Sequence, residues 1–203
     1  IVSDCNGHIW CATDGGGLLE IKPDGSFTAH TVASTGGQLP SDNLELVKIS
    51  CGALWVATFE NGVVKIDGAI DIGDYALLTY ENSDLPYNGL YDIGFDNYGN
   101  AWFTGEKGAT GLANISVLSQ DLSTWTVYDA SSAELGLDET EDRVFFMAVD
   151  HNNSKWFCTH YGISYLKGDG EAGALMVDDY TRTVFVDKKG IVYISNRTTG
   201  EIS

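Results

Sequence analysis

A short motif built around an aromatic residue recurs along the chain and constrains the fold more than any other feature. Its first copy reads Asp-Cys-Asn-Gly-His-Ile-Trp-Cys-Ala-Thr at residues 4–13, and further copies stand at residues 51–58, 96–104, 150–159 and, more weakly, 187–195. The central aromatics are Trp10, Trp55, Trp102, Trp156 and Tyr193, at spacings of 45, 47, 54 and 37 residues. Such a period predicts structural repeats, each of which buries an apolar face against the next.

Within each repeat the pattern is that of short antiparallel strands. Runs of β-branched and aromatic residues are separated by Gly, Asn, Asp or Ser, and no window keeps an apolar stripe at helical spacing. In the third repeat we predict strands over residues 90–96, 100–104, 111–117 and 124–128. The Asp-x-x-Gly segment between the first two strands predicts a tight hairpin.

Four strands in about 45 residues are typical of one propeller blade. The sequence therefore predicts an all-β fold, a β-propeller of four-stranded antiparallel blades in a single domain over residues 1–203. The predicted blades cover residues 1–32, 44–80, 90–128, 143–178 and 182–203. This makes about five blades with the last one incomplete, and a slice of a larger propeller fits the length equally well.

The net charge of the chain argues against several classes of binding partner. The chain has 11 Lys and Arg against 29 Asp and Glu, a formal net charge of −18. This charge repels phosphate, which argues against nucleic acid and against an anionic membrane surface as partners. No apolar run is long enough for membrane insertion by this segment. The chain begins at Ile1 without a signal peptide, so we expect a processed start or an excised piece.

The four cysteines, at positions 5, 11, 51 and 158, contain no Cys-x-x-Cys pair. They are too few for a disulfide framework in a chain of this length, and they lack the spacing of zinc ligands. Cys11 and Cys158 lie in apolar runs and are expected to be small core residues. A single bridge between Cys5 and Cys51 stays open.

Taken together, the repeats resemble the two-component-regulator propeller repeat, whose core reads roughly Asp-x-x-Gly-x-hydrophobic-Trp-hydrophobic-Gly/Ala-Thr. Residues 10–18 and 55–63 match this pattern closely, whereas the third repeat carries an insertion at 107–110 and the fifth has Tyr193 and Ser195 for Trp and Thr. The resemblance covers nearly the whole chain. It implies a periplasmic or extracellular sensor or ligand-binding module, often joined to signalling domains that this sequence does not contain. Many relatives are thought to bind oligosaccharides.

Residues that recur in register are expected to serve packing and turns. We expect the tryptophans to lie between neighbouring blades, the threonines Thr13, Thr58 and Thr159 to hydrogen-bond between strands or blades, and the turn acids to accept turn amides. The turn acids are Asp4, Asp96, Asp150 and Asp187, and each is the lone acid of its turn, whereas Ca²⁺ needs six to eight oxygens, so no metal site is predicted. No phosphate-cradling loop or nucleophile elbow occurs, and no cofactor is predicted.

Positions that differ between repeats within this constant frame are the candidate binding residues. In a propeller, the turn after the second strand and the linker into the next inner strand share one end of the blades, where ligands commonly bind; we call this end the rim. The candidates from these two segments are Asp14, Phe59, Glu60, Tyr87, Tyr91, Glu106, His160, Tyr161 and Arg197. Aromatic faces beside carboxylates suit a sugar, which predicts a small-molecule or oligosaccharide ligand.

Two other functions stay open. Streptogramin lyase and some polysaccharide lyases resemble propellers of related repeats, and His160 with Glu106 or Asp14 would supply the acid–base pair of such a lyase or hydrolase. A scaffold for protein contacts is the third possibility, and its sign would be a large exposed apolar patch away from the rim.

Overall fold

The computed structural model describes residues 1–50, 52–68, 74–85, 87–107, 113–129, 135, 143–160, 162–168, 170–176 and 180–196, with the backbone alone at 106, 107, 113, 114, 129, 175, 176 and 196. The regular elements in these ranges are all β-strands. None of the described segments is a helix long and apolar enough to cross a membrane. The strands form two compact units, unit 1 (Ile1–Leu90) and unit 2 (Tyr91–Ser203).

Unit 1 contains two four-stranded antiparallel sheets, which we call blades 1 and 2. The strands of blade 1 are β1 (Val2–Ser3), β2 (Ile9–Ala12), β3 (Leu18–Ile21) and β4 (Phe27–His30). Those of blade 2 are β5 (Leu44–Ser50), β6 (Ala53–Thr58), β7 (Val63–Asp67) and β8 (Asp74–Leu78). In both sheets the strands lie in chain order, so each strand pairs with the next along the chain.

Unit 2 continues the pattern with blades 3, 4 and 5. Blade 3 consists of β9 (Leu90–Phe95), which starts at the boundary of the units, with β10 (Ala101–Lys107), β11 (Ala113–Leu118) and β12 (Trp125–Asp129). Blade 4 consists of β13 (Val144–Val149), β14 (Lys155–Thr159), β15 (Gly162–Leu166) and β16 (Ala172–Met176). Blade 5 has β17 (Thr181–Val186) and β18 (Val192–Asn196), which pair with each other. The partial third strand predicted at the end of blade 5 falls on residues 197–203, outside the described residues.

The strands of the third repeat depart little from their predicted bounds. The second strand runs to Lys107, three residues beyond the prediction, and its register with β11 shifts between Thr104 and Lys107. The third strand begins at Ala113, and the two residues before it lie outside the described part of the chain. The outer strand starts one residue later than predicted, at Trp125.

Apolar side chains fill the layers between consecutive blades of the same unit. The second strand of a blade packs against the inner strand of the next blade, β2 on β5 in unit 1, and β10 on β13 and β14 on β17 in unit 2. Trp10, Trp55 and Trp102 are buried, as the repeat predicted, and Trp156 is half-buried. Trp102 stacks on Tyr128 of its own blade and meets Phe157 of the next at 6.0 Å between ring centroids.

The Asp-x-x-Gly turns form a repeated hydrogen-bond motif at the end of the blades opposite the rim, which we call the turn end. Asp4 Oδ1 accepts the backbone N–H groups of Asn6 and His8, each at 2.9 Å, and its Oδ2 accepts the indole N–H of Trp10 at 3.3 Å. Asp96 and Asp150 hold their turns and tryptophans in the same way. Burial raises the pKa of Asp4 and Asp150, but these donors outweigh it and hold the pKa below its ordinary value.

Three cysteines carry free thiols in the structure, namely Cys5, Cys11 and Cys158. Cys158 is buried in the layer between blades 4 and 5, as predicted, whereas Cys11 is half-buried. Cys5 is exposed in the first turn. Cys51, its possible partner in a bridge, lies outside the described residues.

Candidate functional site

The rim is held together by hydrogen bonds between the linkers and the turns that follow the second strands. In unit 1 the linker between blades 1 and 2 bonds to both of its neighbours. Leu44 donates its N–H to the carbonyl of Thr13 in blade 1, and Asn43 accepts the N–H of Phe59 in blade 2 at 3.2 Å. The following linker repeats the contact, because the carbonyl of Asn88 accepts the N–H of Gly62. Residues of turns and linkers are thereby fixed beside each other.

The repeated threonine and glycine of each second-strand turn serve this geometry. Thr13 donates its hydroxyl to the carbonyl of Gly17, and Thr58 does the same to Gly62. Gly62 has a φ of +86°, and a Cβ there would lie 2.2 Å from the carbonyl oxygen of Leu78. Only glycine fits such a left-handed residue pressed against a neighbouring strand. The constant residues of the rim are therefore structural, as predicted, and the variable ones are free to differ.

Two exposed aromatic rings lie at the same junction of unit 1. Phe59 is 62% exposed and Tyr87 is 46% exposed. Gly89 lies against both residues, since a Cβ there would be 2.7 Å from the carbonyl oxygen of Phe59 and 3.3 Å from Cε1 of Tyr87. Asp14, which pairs with Asn43 in an isolated β-bridge, lies along the same linker.

Two carboxylates belong to the same rim segments. Asp14 and Glu60 are both exposed. Asn88, by contrast, has its amide occupied, because Oδ1 accepts the N–H of Tyr80 and Nδ2 donates to Glu81. Four of the predicted ligand-binding residues, Asp14, Phe59, Glu60 and Tyr87, thus form the rim of unit 1.

The rim of unit 2 is a cluster of aromatic rings centred on Phe145. The ring of Tyr91 lies 5.4 Å from that of Phe145, and the rings of His160 and Tyr180 lie at 5.2 and 4.9 Å. His160 and Tyr180 also contact each other at 4.8 Å. Phe145 is buried, whereas the three surrounding rings are half-buried. The predicted residues Tyr91 and His160 therefore share one cluster.

An arginine adds positive charge to this cluster. The guanidinium of Arg182 lies over the ring of Phe145 at 5.4 Å, and its Nη1 donates to the hydroxyl of Tyr180 at 3.5 Å. Arg182 itself is exposed. An exposed guanidinium on an aromatic face retains donors that point toward solvent, where a ligand oxygen would bind.

Sequence reasoning missed Phe145, Tyr180 and Arg182, although the repeat contained a signal for two of them. Each inner strand of unit 2 starts with a buried residue, and the next residue points into the cluster: Tyr91 in β9, Phe145 in β13 and Arg182 in β17. These three positions are equivalent in their blades but carry chemically different side chains. The same criterion identified the candidate binding residues in the turns after the second strands. Tyr180 is the linker residue before β17, in the segment that supplied Tyr87 in unit 1.

Part of the predicted site cannot be placed. Tyr161 and Arg197 lie outside the described residues, and so does the side chain of Glu106. Asp14 belongs to unit 1 and His160 to unit 2. The acid–base pair of the lyase alternative therefore stays a prediction.

The described residues show no cluster of three or more His, Cys, Asp or Glu side chains able to hold a metal ion. An exposed apolar patch, in contrast, is present on blade 5. Phe185 and Tyr193 line a shallow depression of about 430 Å³ there, together with Ile194. Tyr193 occupies the anchor position that tryptophan holds in the other repeats, which is the face that blades bury against the next blade. The patch thus has the character of a blade-packing surface.

Four-stranded antiparallel blades in chain order, with anchor aromatics in the layers between them, define a β-propeller, and the predicted fold class is confirmed. No family model matches the chain, and no curated protein sequence matches it. Solved structures do match, and they confirm the resemblance to two-component-regulator propellers at the level of the fold.

Three of these structures are of special interest. The extracellular domain of BT3049 from B. thetaiotaomicron, described as a hybrid two-component system, is 18% identical at a TM-score of 0.75, over 99% of this chain and 25% of that one. The extracellular domain of BT4673 from the same organism is 18% identical at 0.68, over 100% and 28%. PorZ, an essential surface component of the type-IX secretion system of Porphyromonas gingivalis, is 14% identical at 0.68, over 95% and 30%. The chain thus spans less than a third of the length of these neighbours.

Proposed function

We propose that the chain is part of an extracellular or periplasmic sensor propeller that binds a carbohydrate-like ligand at its rim without converting it. The observation that carries the proposal is the pair of exposed aromatic residues Phe59 and Tyr87, both of which lie against Gly89, on a rim that also bears the exposed carboxylates of Asp14 and Glu60. The extracellular domains of two-component systems among the similar structures support the location and the sensor role.

The chemistry of the unit 1 rim suits a sugar. A pyranose presents an apolar face of C–H groups and a periphery of hydroxyls. Exposed aromatic rings stack on the apolar face of the sugar, and carboxylates accept hydrogen bonds from its hydroxyls. Full burial of one such aromatic side chain against a ligand contributes up to about 1.5–3 kcal/mol. Phe59 and Tyr87 are exposed at the end of the blades where propellers bind ligands.

The unit 2 rim is proposed to take part in the same function. Tyr91 and His160 offer ring edges around the buried Phe145, and Arg182 offers guanidinium donors to ligand hydroxyls or acids. Signalling domains joined to the sensor in the longer protein would respond to the ligand. In this proposal the residues bind the ligand, and none of them reacts with it.

Isothermal titration calorimetry against a panel of purified oligosaccharides tests the proposal. We expect at least one oligosaccharide to bind, with an affinity about 5- to 30-fold lower in Phe59→Ala and in Tyr87→Ala, because stacking on one ring contributes roughly 1–2 kcal/mol. Phe27→Ala is the matched control, since Phe27 is 74% exposed but lies at the turn end of blade 1.

Flat heats across the panel, or equal losses in all three variants, would refute the assignment. Chromatography of the titrated oligosaccharides completes the experiment. An unsaturated or shortened product that disappears in His160→Ala would replace the binding proposal with the lyase or hydrolase alternative.

A further inference from the structure

A second cavity lies in unit 1, at the turn end of the cleft between blades 1 and 2. Its volume is about 650 Å³, within the range of small-molecule sites. Its lining includes Asp4, His8, Trp10 and Glu20 from blade 1 and Ile49 and Leu54 from blade 2. The cavity is therefore at the opposite end of the blades from Phe59 and Tyr87, and the proposed sugar site does not include it.

A buried carboxylate forms one wall of this cavity. Both oxygens of Glu20 are held by imidazoles, Oε1 by Nδ1 of His8 at 2.7 Å and Oε2 by Nε2 of His30 at 3.1 Å. His30 is fully enclosed, whereas the side chain of His8 is 28% exposed toward the cavity. Trp10 lies between the two imidazoles, with its ring centroid 6.3 Å from His8 and 5.9 Å from His30.

Blade 3 shows that blade packing does not require this polar cluster, although the residue equivalent to Glu20 in blade 2, Lys65, is also charged. Glu20 is the partner of the anchor Trp10 on the neighbouring strand, and in blade 3 the equivalent partner of Trp102 is Val117. His30 occupies the position of Tyr128. Burying a carboxylate costs free energy that an apolar side chain avoids. Polar replacements that break the repeat beside a cavity are characteristic of functional sites.

The groups that face the cavity define the chemistry of a ligand. When Nδ1 of His8 donates to Glu20, its Nε2 becomes an acceptor, and no other contact of His8 occupies Nε2 in the described part of the chain. The indole N–H of Trp10 is already donated to Asp4. Among the described residues of the lining, the two carboxylates of Asp4 and Glu20 outnumber one cationic side chain, that of Lys22. Acceptors and negative charge are therefore in excess.

Ile49 and Leu54 add an apolar wall opposite these groups. We propose that this cavity binds a small organic cation, an ammonium group on an apolar body, with the ammonium directed to His8 Nε2 and the carboxylates and the apolar body against blade 2. The wall beside the ammonium is negative and rich in acceptors, while the remaining lining is hydrocarbon. This combination selects against anions and gives a neutral alcohol of the same shape only part of the interaction.

Three aromatic probes of similar size and different charge test the proposal: benzylammonium, benzyl alcohol and benzoate. The chain has only four histidines, so their Cε1–H resonances in a ¹H–¹³C spectrum are resolved, and that of His8 is assigned by its loss in His8→Gln. At pH 7.5 we expect saturable shifts of the His8 resonance with benzylammonium, at least tenfold weaker binding of benzyl alcohol and no binding of benzoate.

Variants separate the site from non-specific charge effects. Glu20→Gln and His8→Gln are expected to weaken benzylammonium binding at least tenfold. Asp24→Asn removes the same charge from an exposed turn outside the cavity lining and should leave binding unchanged. His8→Gln decides the outcome if Glu20→Gln fails to fold, since His8 is partly exposed; because this variant lacks the His8 resonance, its binding is measured by protection of Cys5 from alkylation.

A second readout comes from Cys5, an exposed thiol that lines the same cavity. Bound benzylammonium should slow alkylation of Cys5 severalfold, measured on the peptide by mass spectrometry. The proposal is overturned if benzylammonium does not shift His8, if the three probes bind alike, or if both cavity variants bind as tightly as the unchanged chain. Sugar binding by the Phe59 and Tyr87 variants is measured separately and does not bear on this result.

Discussion

Asp96 is the residue whose removal should destabilise unit 2 most clearly without creating a large cavity. Its carboxylate accepts the backbone N–H groups of Tyr98 and Asn100 at 3.0 and 2.9 Å, and the indole N–H of Trp102 at 3.1 Å. Lys155 of the next blade places its ammonium 3.9 Å from Oδ2 and over the ring of Trp102 at 5.1 Å. The side chains of both charged residues are buried, at 2% and 7% exposure.

Removing one member of a buried ion pair costs about 3–5 kcal/mol, because the other charge is left without compensation. Asp96→Ala leaves the ammonium of Lys155 buried, and it also leaves the turn amides without their acceptor. Burial already lowers the pKa of Lys155, and Asp96 and Asp150 counteract that effect. At about 2–4 °C per kcal/mol for a chain of this size, the expected fall in Tm is about 6–20 °C.

A double-mutant cycle identifies the cause. Lys155→Met alone should cost about 1 kcal/mol, since Asp96 keeps its backbone and indole donors. Asp96→Ala with Lys155→Met should recover about 1–3 kcal/mol relative to the sum of the single variants, because no charge is then buried unpaired. Calorimetry and urea unfolding followed by circular dichroism give the free energies, and coincident transitions establish two-state behaviour.

Asp24→Ala is the control for this cycle. Asp24 also accepts turn hydrogen bonds, from the N–H and hydroxyl of Ser26, but it is fully exposed. Its removal should change Tm by no more than a few degrees. A fall of less than 3 °C in Asp96→Ala, or exact additivity in the double variant, would refute the electrostatic reasoning.

The remaining predictions concern a thiol and a glycine. Burial raises the pKa of Cys158 to about 12, so at pH 8 an alkylating reagent should modify exposed Cys5 in the native chain and reach Cys158 only in denaturant, with peptide mass spectrometry as the measurement; equal native reactivity would contradict this. Gly62→Ala should destabilise by more than Gly25→Ala, since both have positive φ but a Cβ meets the Leu78 carbonyl only at Gly62, and matched urea melts would show no difference if that contact were unimportant.

Much of the fold follows from the sequence because blades 1, 3 and 4 meet the same physical requirement with the same residues. A turn acid has to satisfy two amides and an indole N–H, and a tryptophan six residues later has to fill the layer between blades, as Asp96 and Trp102 do. Repetition makes this requirement visible without coordinates. Strand ends were less predictable, since the extension of β10 to Lys107 depends on a register shift with β11 that no local pattern encodes.

The rim was only partly predictable for a different reason. Phe59 and Tyr87 follow from position alone, because linker and turn are joined by backbone hydrogen bonds at both junctions of unit 1. To predict the cluster around Phe145, the second residue of each inner strand has to be compared between blades as well. Within a single strand, that residue looks like an ordinary member of the alternation of apolar and polar side chains. Only the pairing of blade 4 with blades 3 and 5 shows that Tyr91 and Arg182 meet the same ring.

The polar residues of the turn-end cavity are not marked by any sequence motif. His8 and His30 have no metal-ligand spacing, and Glu20 alternates with leucine and isoleucine in an ordinary strand, so no motif marks them. Aligned by strand register with blade 3, however, Glu20 and His30 fall on positions occupied by Val117 and Tyr128. In a repeat protein, the packing layer of one blade can be compared with the equivalent layer of another blade. A buried carboxylate, which blade 3 does without, has to be stabilised by something other than apolar packing, and here two imidazoles beside the cavity supply that stabilisation.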